Sequence, residues 1–381
     1  MAIAPSPAIE RTGLQKPVRA ALALALAFLG LFGLDALLFR TNIYPSILEP
    51  DSSSGLFELT LWRERRAQKD AGDNLAVALG DSRMGYLPKG VDLRSRQTGY
   101  ALRTAVIPGS DARSWYYLLR DLDPTARRYR AIVIGLDDYY DEDSAFEPDD
   151  DIRALHYAIV RLRLRDTLDF ARSFYSPSVE WEAFRGALLK GIALQSDIQA
   201  FLSHPRKRID MVRLFHRGWP DWNYNYVESS LNMVGLRVDW GKMQATYPPG
   251  MTEIQKATVQ DYLLRPKAPQ TGRLRRFRLT WLGRIADRYR QSRTKIIFIR
   301  LARGPFLRPD YLAAKQTSSI RELAGRPNVL LSPEHTFDFL EHPGYFKDAL
   351  HLNKDGVALF SAALADETAR LLGPPRERAA R

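Results

Sequence analysis

Residues 75–83 read Leu-Ala-Val-Ala-Leu-Gly-Asp-Ser-Arg, five apolar residues running straight into a glycine and two polar turn formers. The run is too short for an amphipathic helix and does not alternate, which is the pattern of a strand covered on both faces. Gly80, Asp81 and Ser82 then mark a turn at its carboxyl end. Four later runs have the same character: Arg103 to Ile107, Ala131 to Ile134, Lys295 to Leu301 and Val329 to Leu331. Helical patterns fall between them. One covers Asp111 to Leu122; a second sets Leu274, Phe277, Trp281, Ile285 and Tyr289 on one face and leaves arginines outside. Tyr311 to Leu323 and Lys354 to Leu372 complete the set. Strands alternating with helices predict an α/β fold, a doubly wound, flavodoxin-like sheet of five parallel strands.

Between the third and fourth runs lies far more chain than one crossover helix needs. Residues 141–292 are therefore expected to form a mostly helical insertion or cap at the carboxyl end of the third strand, closing with the crossover helix. It opens on Asp141, Glu142, Asp143, Glu147, Asp149, Asp150 and Asp151. This cluster lacks the spacing and glycine of a calcium loop and reads as solvated. Helical periods such as Ile152, Leu155, Ile159 and Leu162 follow. Trp219, Trp222, Tyr224 and Tyr226 suit core packing or stacking on sugar rings, packing being the simpler reading. The α/β unit itself comprises 74–140 and 293–372, and 373–381 reads as a disordered tail.

Upstream, Ala20 to Phe39 is apolar apart from Asp35. At about 1.5 Å per residue such a helix covers the roughly 30 Å hydrocarbon layer. Arg11, Lys16 and Arg19 precede it, so residues 1–19 are expected in the cytoplasm and the main domain outside, in the periplasm of a Gram-negative cell. A cleavable signal peptide would have a shorter apolar core and a small-x-small site. A buried soluble helix is the third reading. Residues 41–73 read as a linker.

The 381 residues, 45% hydrophobic and 26% charged, are enough for a sizeable core. With no cysteine, disulfides, thiolate metal sites and cysteine nucleophiles are excluded. The net charge of +12 favours an anionic membrane or polymer as neighbour. Its arginines are dispersed and form no nucleic-acid module, so nucleic acid is not an expected partner. His156, His204, His216, His335 and His342 lack metal-ligand spacing, and neither metal nor cofactor is expected.

Taken alone, Gly80-Asp81-Ser82 at a strand end resembles many turns. Near the other end of the chain, Asp348-Ala349-Leu350-His351 precedes the last helical pattern. A carboxylate three residues before a histidine on a turn can hold one ring nitrogen and fix the tautomer. A serine hydroxyl is a poor nucleophile at neutral pH and needs such a base. In this order on an α/β chain, the two motifs resemble the SGNH hydrolase superfamily, especially its membrane-anchored bacterial branch associated with acylation of cell-surface polymers. The resemblance covers 74–140 and 293–372. It implies Ser82 as nucleophile, His351 as base and Asp348 as orienting acid. It also implies an oxyanion hole made by the backbone N–H groups of Ser82 and of Gly109, within Ile107-Pro108-Gly109-Ser110, each donor worth about 3 to 4 kcal/mol.

The family's third block, Gly-x-Asn-Asp, supplies an asparagine donor to the oxyanion. Here the chain reads Gly135-Leu136-Asp137-Asp138. An ionised carboxylate about 4 Å from an oxyanion repels it by roughly 4 kcal/mol at an effective dielectric of 20. Asp137 must therefore be protonated, turned away or replaced as donor. Arg83, meeting an acidic substrate or a local carboxylate, and Asp138 are the candidate substrate contacts. The resemblance implies an extracytoplasmic O-acyltransferase or acylesterase acting on a surface polysaccharide or related ester, with a multi-spanning membrane O-acyltransferase as partner. The alternatives are a non-catalytic accessory or polymer-binding protein, motivated by Asp137, and a lipid esterase at the membrane surface.

Overall fold

Five parallel strands form the centre of the protein, in the order β2-β1-β3-β6-β7. The structure, a computed structural model, describes residues 15–67, 74–84, 97–142, 152–218, 229–265, 272–307, 309 and 317–375. The strands are β1 (Leu75–Leu79), β2 (Ala101–Thr104), β3 (Ala131–Leu136), β6 (Lys295–Arg300) and β7 (Val329–Leu331). A separate antiparallel hairpin, β4 (Arg237–Asp239) with β5 (Gln244–Thr246), belongs to the insertion.

The apolar runs lack alternation because both faces of the sheet are covered. Leu75, Val77, Leu79, Ile132, Ile134, Ile296 and Phe298 enter one core with Leu118, Trp281 and Ile285. Ala76, Ala78, Val133, Ile297 and Ile299 enter a second core with Met84, Phe360 and Leu364. The first core is backed by helices α3 (Ala112–Leu122) and α11 (Arg273–Arg288), the second by α13 (Lys354–Leu372). Asp111 caps α3 by accepting the Ser114 N–H at 2.9 Å, and Asn353 caps α13 through the Gly356 N–H at 3.1 Å.

Only β2 is displaced from its expected position. Its ladder with β1 runs from Leu75 opposite Ala101 to Ala78 opposite Thr104. The buried Ala105, Val106 and Ile107 lie just beyond it and continue along β1, Ala105 N–H donating to Ala78 at 2.9 Å. As an edge strand, β2 starts partly exposed, so its apolar run marks only its last part.

The insertion is mostly helical: α4 (Ile152–Ala158), α5 (Thr167–Ala171), α6 (Pro177–Leu188), α7 (Lys190–Ala193), α8 (Gln195–Ser203), α9 (Pro205–Gly218) and α10 (Glu253–Thr258). The β4–β5 hairpin and a π-helical turn at Val259–Leu263 depart from the helical expectation. The first residue of the acidic cluster is not solvated. Asp141 is buried, pairs with Arg278 at 3.1 Å and accepts the Ser319 N–H at 2.8 Å at the start of α12 (Ser319–Ala324). Asp143, Glu147, Asp149, Asp150 and Asp151, the aromatic residues Trp219 to Tyr226, and most of the tail lie outside the described residues.

At the N-terminus, α1 (Gln15–Phe39) includes 23 residues, Pro17–Phe39, long and apolar enough to cross a membrane, with a mean hydropathy of 2.3. Its leucines project outward, Leu24 being 73% exposed. Residues 41–73 are more than a linker, since they carry α2 (Ser53–Ala67), whose Phe57 and Leu61 sit fully in the first core. Arginines at three positions on this helix, Arg63, Arg65 and Arg66, dilute its apolar stripe and hide it from a reading by composition.

Candidate active site

All five strands are parallel, so their carboxyl ends share one edge of the sheet. There β1 passes through Gly80-Asp81 into a single 3-10 turn, Ser82–Met84. Met84 is fully buried over two glycines. A Cβ at Gly80 would come to 2.4 Å from Met84 Cγ, and one at Gly135 to 2.6 Å. Met84 thus anchors the turn to β1 and β3 and leaves Ser82 partly exposed at its start.

Ser82 Oγ lies 3.0 Å from His351 Nε2, across 269 residues of sequence. The other ring nitrogen, Nδ1, faces Asp348 at 3.0 Å from Oδ2 and 3.1 Å from Oδ1. Asp348 is buried, and its Oδ1 also accepts the N–H groups of Leu350 at 2.8 Å and His351 at 2.7 Å. Burial works to raise the Asp348 carboxyl. The hydrogen bond and charge of His351, with the two backbone donors, outweigh it and hold the group below its ordinary value. An ionised Asp348 favours the tautomer with hydrogen on Nδ1, which leaves Nε2 to accept the serine proton.

The loop carrying this pair is braced by the insertion. Lys347 N–H donates to His351 O at 2.9 Å, and Phe346 forms an antiparallel bridge with Leu352. Buried Gln255, on α10, donates from Nε2 to Lys347 O at 2.6 Å, while Thr258 Oγ1 accepts the Ala349 N–H at 3.2 Å. Burial pushes the Tyr262 hydroxyl up against the pull of Arg83, with Asp261, Asp348 and Asp81 adding to the rise, so this ring stands in the field of the same site. Sequence reasoning missed Gln255, Thr258 and Tyr262. Two of them act by bonding backbone atoms 92 and 91 residues away, which no local motif records.

Gly109 occupies the left-handed region at φ +66, and a Cβ there would lie 2.9 Å from Tyr157 Oη. Beside it, Tyr157 donates to Pro108 O at 2.5 Å, and Ser110 Oγ, held by Trp115 Nε1 at 2.8 Å, donates to Ile107 O at 2.6 Å. Ile107 N–H reaches back to Gly80 O at 3.4 Å, which lays this loop along the Ser82 turn. Among the described residues no hydrogen bond is made by the Gly109 N–H.

Arg83 turns back between two carboxylates instead of toward solvent. Its guanidinium bonds Asp81 at 2.6 Å and makes an ion pair with Asp137, and its side chain is 14% exposed. Burial alone would lower the arginine; Asp137 and Asp81 raise it well above its ordinary value. Asp81 in turn is held below the usual carboxylate range, Arg83 overcoming the effect of burial. Asp137 therefore stands at the end of β3 as one member of an Asp–Arg–Asp bridge, with its charge compensated.

Asp138, a candidate substrate contact, is buried instead. Its Oδ1 accepts the Tyr140 N–H at 2.9 Å and its carbonyl accepts from Arg278 at 2.9 Å, so it shapes the turn after β3. Among the described residues no three histidine, aspartate or glutamate side chains converge as a metal site requires. No protein-family model matches this chain, and no curated protein matches it.

Proposed function

We propose that the protein is a membrane-anchored serine acyl-transfer enzyme of SGNH type, an O-acyltransferase or acylesterase acting outside the cytoplasm on a surface polysaccharide or related ester. The observation that carries this reading is the relay from Ser82 through His351 to Asp348 at the carboxyl edge of a parallel sheet. The strand order, written 2-1-3-4-5 within that sheet, supports the flavodoxin-like doubly wound reading, a fold in which ligands bind outside the carboxyl ends of the strands.

In the proposed reaction Ser82 Oγ attacks the ester carbonyl as its proton passes to His351 Nε2. Charge on the carbonyl oxygen is met by the N–H groups of Ser82 and Gly109. Collapse expels the alkoxide, which takes the proton from His351 and leaves an acyl-serine. Water or a sugar hydroxyl then gives its proton to His351 and attacks the acyl carbon, restoring Ser82. Transfer prevails over hydrolysis where the insertion keeps water from the acyl-enzyme. Pairing of Asp137 with Arg83 offsets the charge that motivates the non-catalytic reading, while the asparagine donor stays replaced at this position.

The apolar helix α1 supports single-pass anchoring, with residues 1–19 cytoplasmic and the domain outside. A multi-spanning O-acyltransferase that brings the acyl group to the outer face is the proposed partner. The test is turnover of 4-nitrophenyl acetate by the full-length protein in detergent, with labelling by a fluorophosphonate probe. Wild type is expected to turn over and to be labelled at Ser82. Equal turnover by Ser82→Ala, or labelling elsewhere, overturns the reading.

A further inference from the structure

Arg40 is the first residue beyond α1, and beside it opens a cleft of about 500 Å³. Its walls carry Arg40, Arg65, Arg120, Arg161, Arg163 and Lys190 against one carboxylate, Asp121. A neighbouring space of about 370 Å³ shares Arg65 and Asp121 and adds Arg128 together with a second carboxylate, Asp123. The positive charge is only partly compensated. Arg161 pairs with Glu58, and Arg120 pairs with Asp166 at 2.5 Å and Asp121 at 3.1 Å. Arg163 reaches the already engaged Asp121 only at 3.9 Å.

Among the described residues, three of these cations, Arg40, Arg65 and Lys190, have no carboxylate within ion-pair distance. Arg40 donates to the carbonyls of Ala187 at 2.8 Å and Leu188 at 2.9 Å, Arg65 to that of Asp121 at 2.8 Å, and Lys190 to that of Val160. Carbonyls accept these bonds without cancelling the charge. Asp35, whose charge acts on Arg40 and Lys190, has its oxygens on the N–H groups of Lys190 and Gly191 at 3.1 and 2.7 Å. Burial, with the charges of Arg40 and Arg161, brings the Lys190 ammonium down to about 7, and burial also lowers Arg40 and Arg65.

We propose that this cleft is a binding site for a phosphate-type oxyanion, presented either as the headgroup of an anionic lipid or as a soluble phosphate. Guanidinium forks match tetrahedral phosphate oxygens two at a time, and the buried or half-buried cations of the cleft are screened less than surface charges. The volume suits a headgroup-sized ligand. Its place directly after α1 puts it within reach of lipid headgroups if α1 spans, while the charge pattern itself does not depend on the proposed chemistry at Ser82.

Calorimetric titration of the full-length protein in neutral detergent tests the proposal. The probes are inorganic pyrophosphate and dihexanoylphosphatidic acid, with glucuronate and dihexanoylphosphatidylcholine as controls. At least one phosphate probe is expected to bind saturably, and Arg65→Gln and Arg163→Gln each to weaken it roughly five- to ten-fold. The Arg163 side chain is 51% exposed, so its replacement leaves the fold intact even if Arg65→Gln does not. Arg275→Gln, outside the cleft, should bind as wild type. Tighter binding of the lipid marks a headgroup site, and tighter or equal binding of pyrophosphate marks recognition of the oxyanion alone. Absence of saturable binding by either phosphate, equal binding of glucuronate, or unchanged affinity in both cleft variants overturns the proposal.

Discussion

Arg83 joins the Ser82 turn to the end of β3, because its guanidinium holds Asp81 and Asp137 at once. Without it, two carboxylates would face each other beside the proposed reaction, which builds negative charge on oxygen. Arg83→Gln is therefore expected to lower kcat by about tenfold or more, equivalent to about 1.4 kcal/mol. Asp137→Asn alone should change activity only a few-fold, since the charge it removes is already compensated, and in the Arg83→Gln background it should recover much of the loss. Steady-state kinetics of the two single variants and the double variant decide this; additive losses would mean that the bridge has no part in the reaction. The proposed relay itself predicts that Ser82→Ala and His351→Ala each abolish nearly all turnover, by about 10⁴-fold or more, with Asp348→Ala somewhat less severe, all three remaining folded by circular dichroism. Ser82, Asp348 and His351 were legible because they belong to two short motifs, one at the end of a strand and one before a helix. The Arg83 to Asp137 pairing was not, because partners 54 residues apart meet only through the registration of β1 against β3.

At the level of elements, the Ser82 turn depends on two strands leaving space for one side chain. Met84 fills the room above Gly80 and Gly135, and a methyl group at Gly135 would stand 2.6 Å from Met84 Cγ and 2.7 Å from its sulfur. Gly135→Ala is expected to cost about 1 to 3 kcal/mol by overpacking and to reduce activity by shifting the turn. Met84→Ala leaves a cavity and costs about 2 to 5 kcal/mol by itself. Thermal unfolding of the double variant should show a loss clearly smaller than the sum, because the shorter side chain relieves the clash; strict additivity would deny the contact. The glycines were visible in the sequence, but their reason was not, since Met84 reads locally as an ordinary apolar residue. Four of the five strands and the helices α3, α11 and α13 could be placed from apolar runs and periodicity because burial on both faces writes itself into composition. The ends of β2 and the existence of α2 could not, the first because an edge strand is only half covered, the second because arginines interrupt its apolar stripe.

Across the whole molecule, α1 does not end in a free tether. Asp35 is 6% exposed and accepts two N–H groups at the start of α7, Phe39 packs in the first core, and Arg40 holds the last carbonyls of α6. Lys190, beside this junction, gives a pH signature. Its ammonium titrates near 7 in the folded chain against 10.5 ordinarily, so between those values the unfolded chain binds a proton that the folded chain lacks. Stability from this group therefore rises with pH across that window, and the full cost of burying the charge is felt below about pH 7. Lys190→Met is expected to stabilise the protein most at about pH 6, with an advantage in Tm that shrinks toward about pH 10. The same junction makes the choice of N-terminus matter for a water-soluble form. A chain beginning at Leu34 retains Asp35, Phe39 and Arg40, whereas one beginning at Thr41 loses them. The lost charged hydrogen bonds are worth roughly 1.5 to 3 kcal/mol together with the N–H groups left unsatisfied, and burial of Phe39 adds about 2 kcal/mol. The shorter chain should therefore melt several degrees lower at equal pH and salt, and adding Asp35→Ala to the longer one should reproduce part of the difference. Equal melting temperatures for the two chains would mean that α1 merely abuts the domain and that the contacts of Asp35, Phe39 and Arg40 add nothing to its stability.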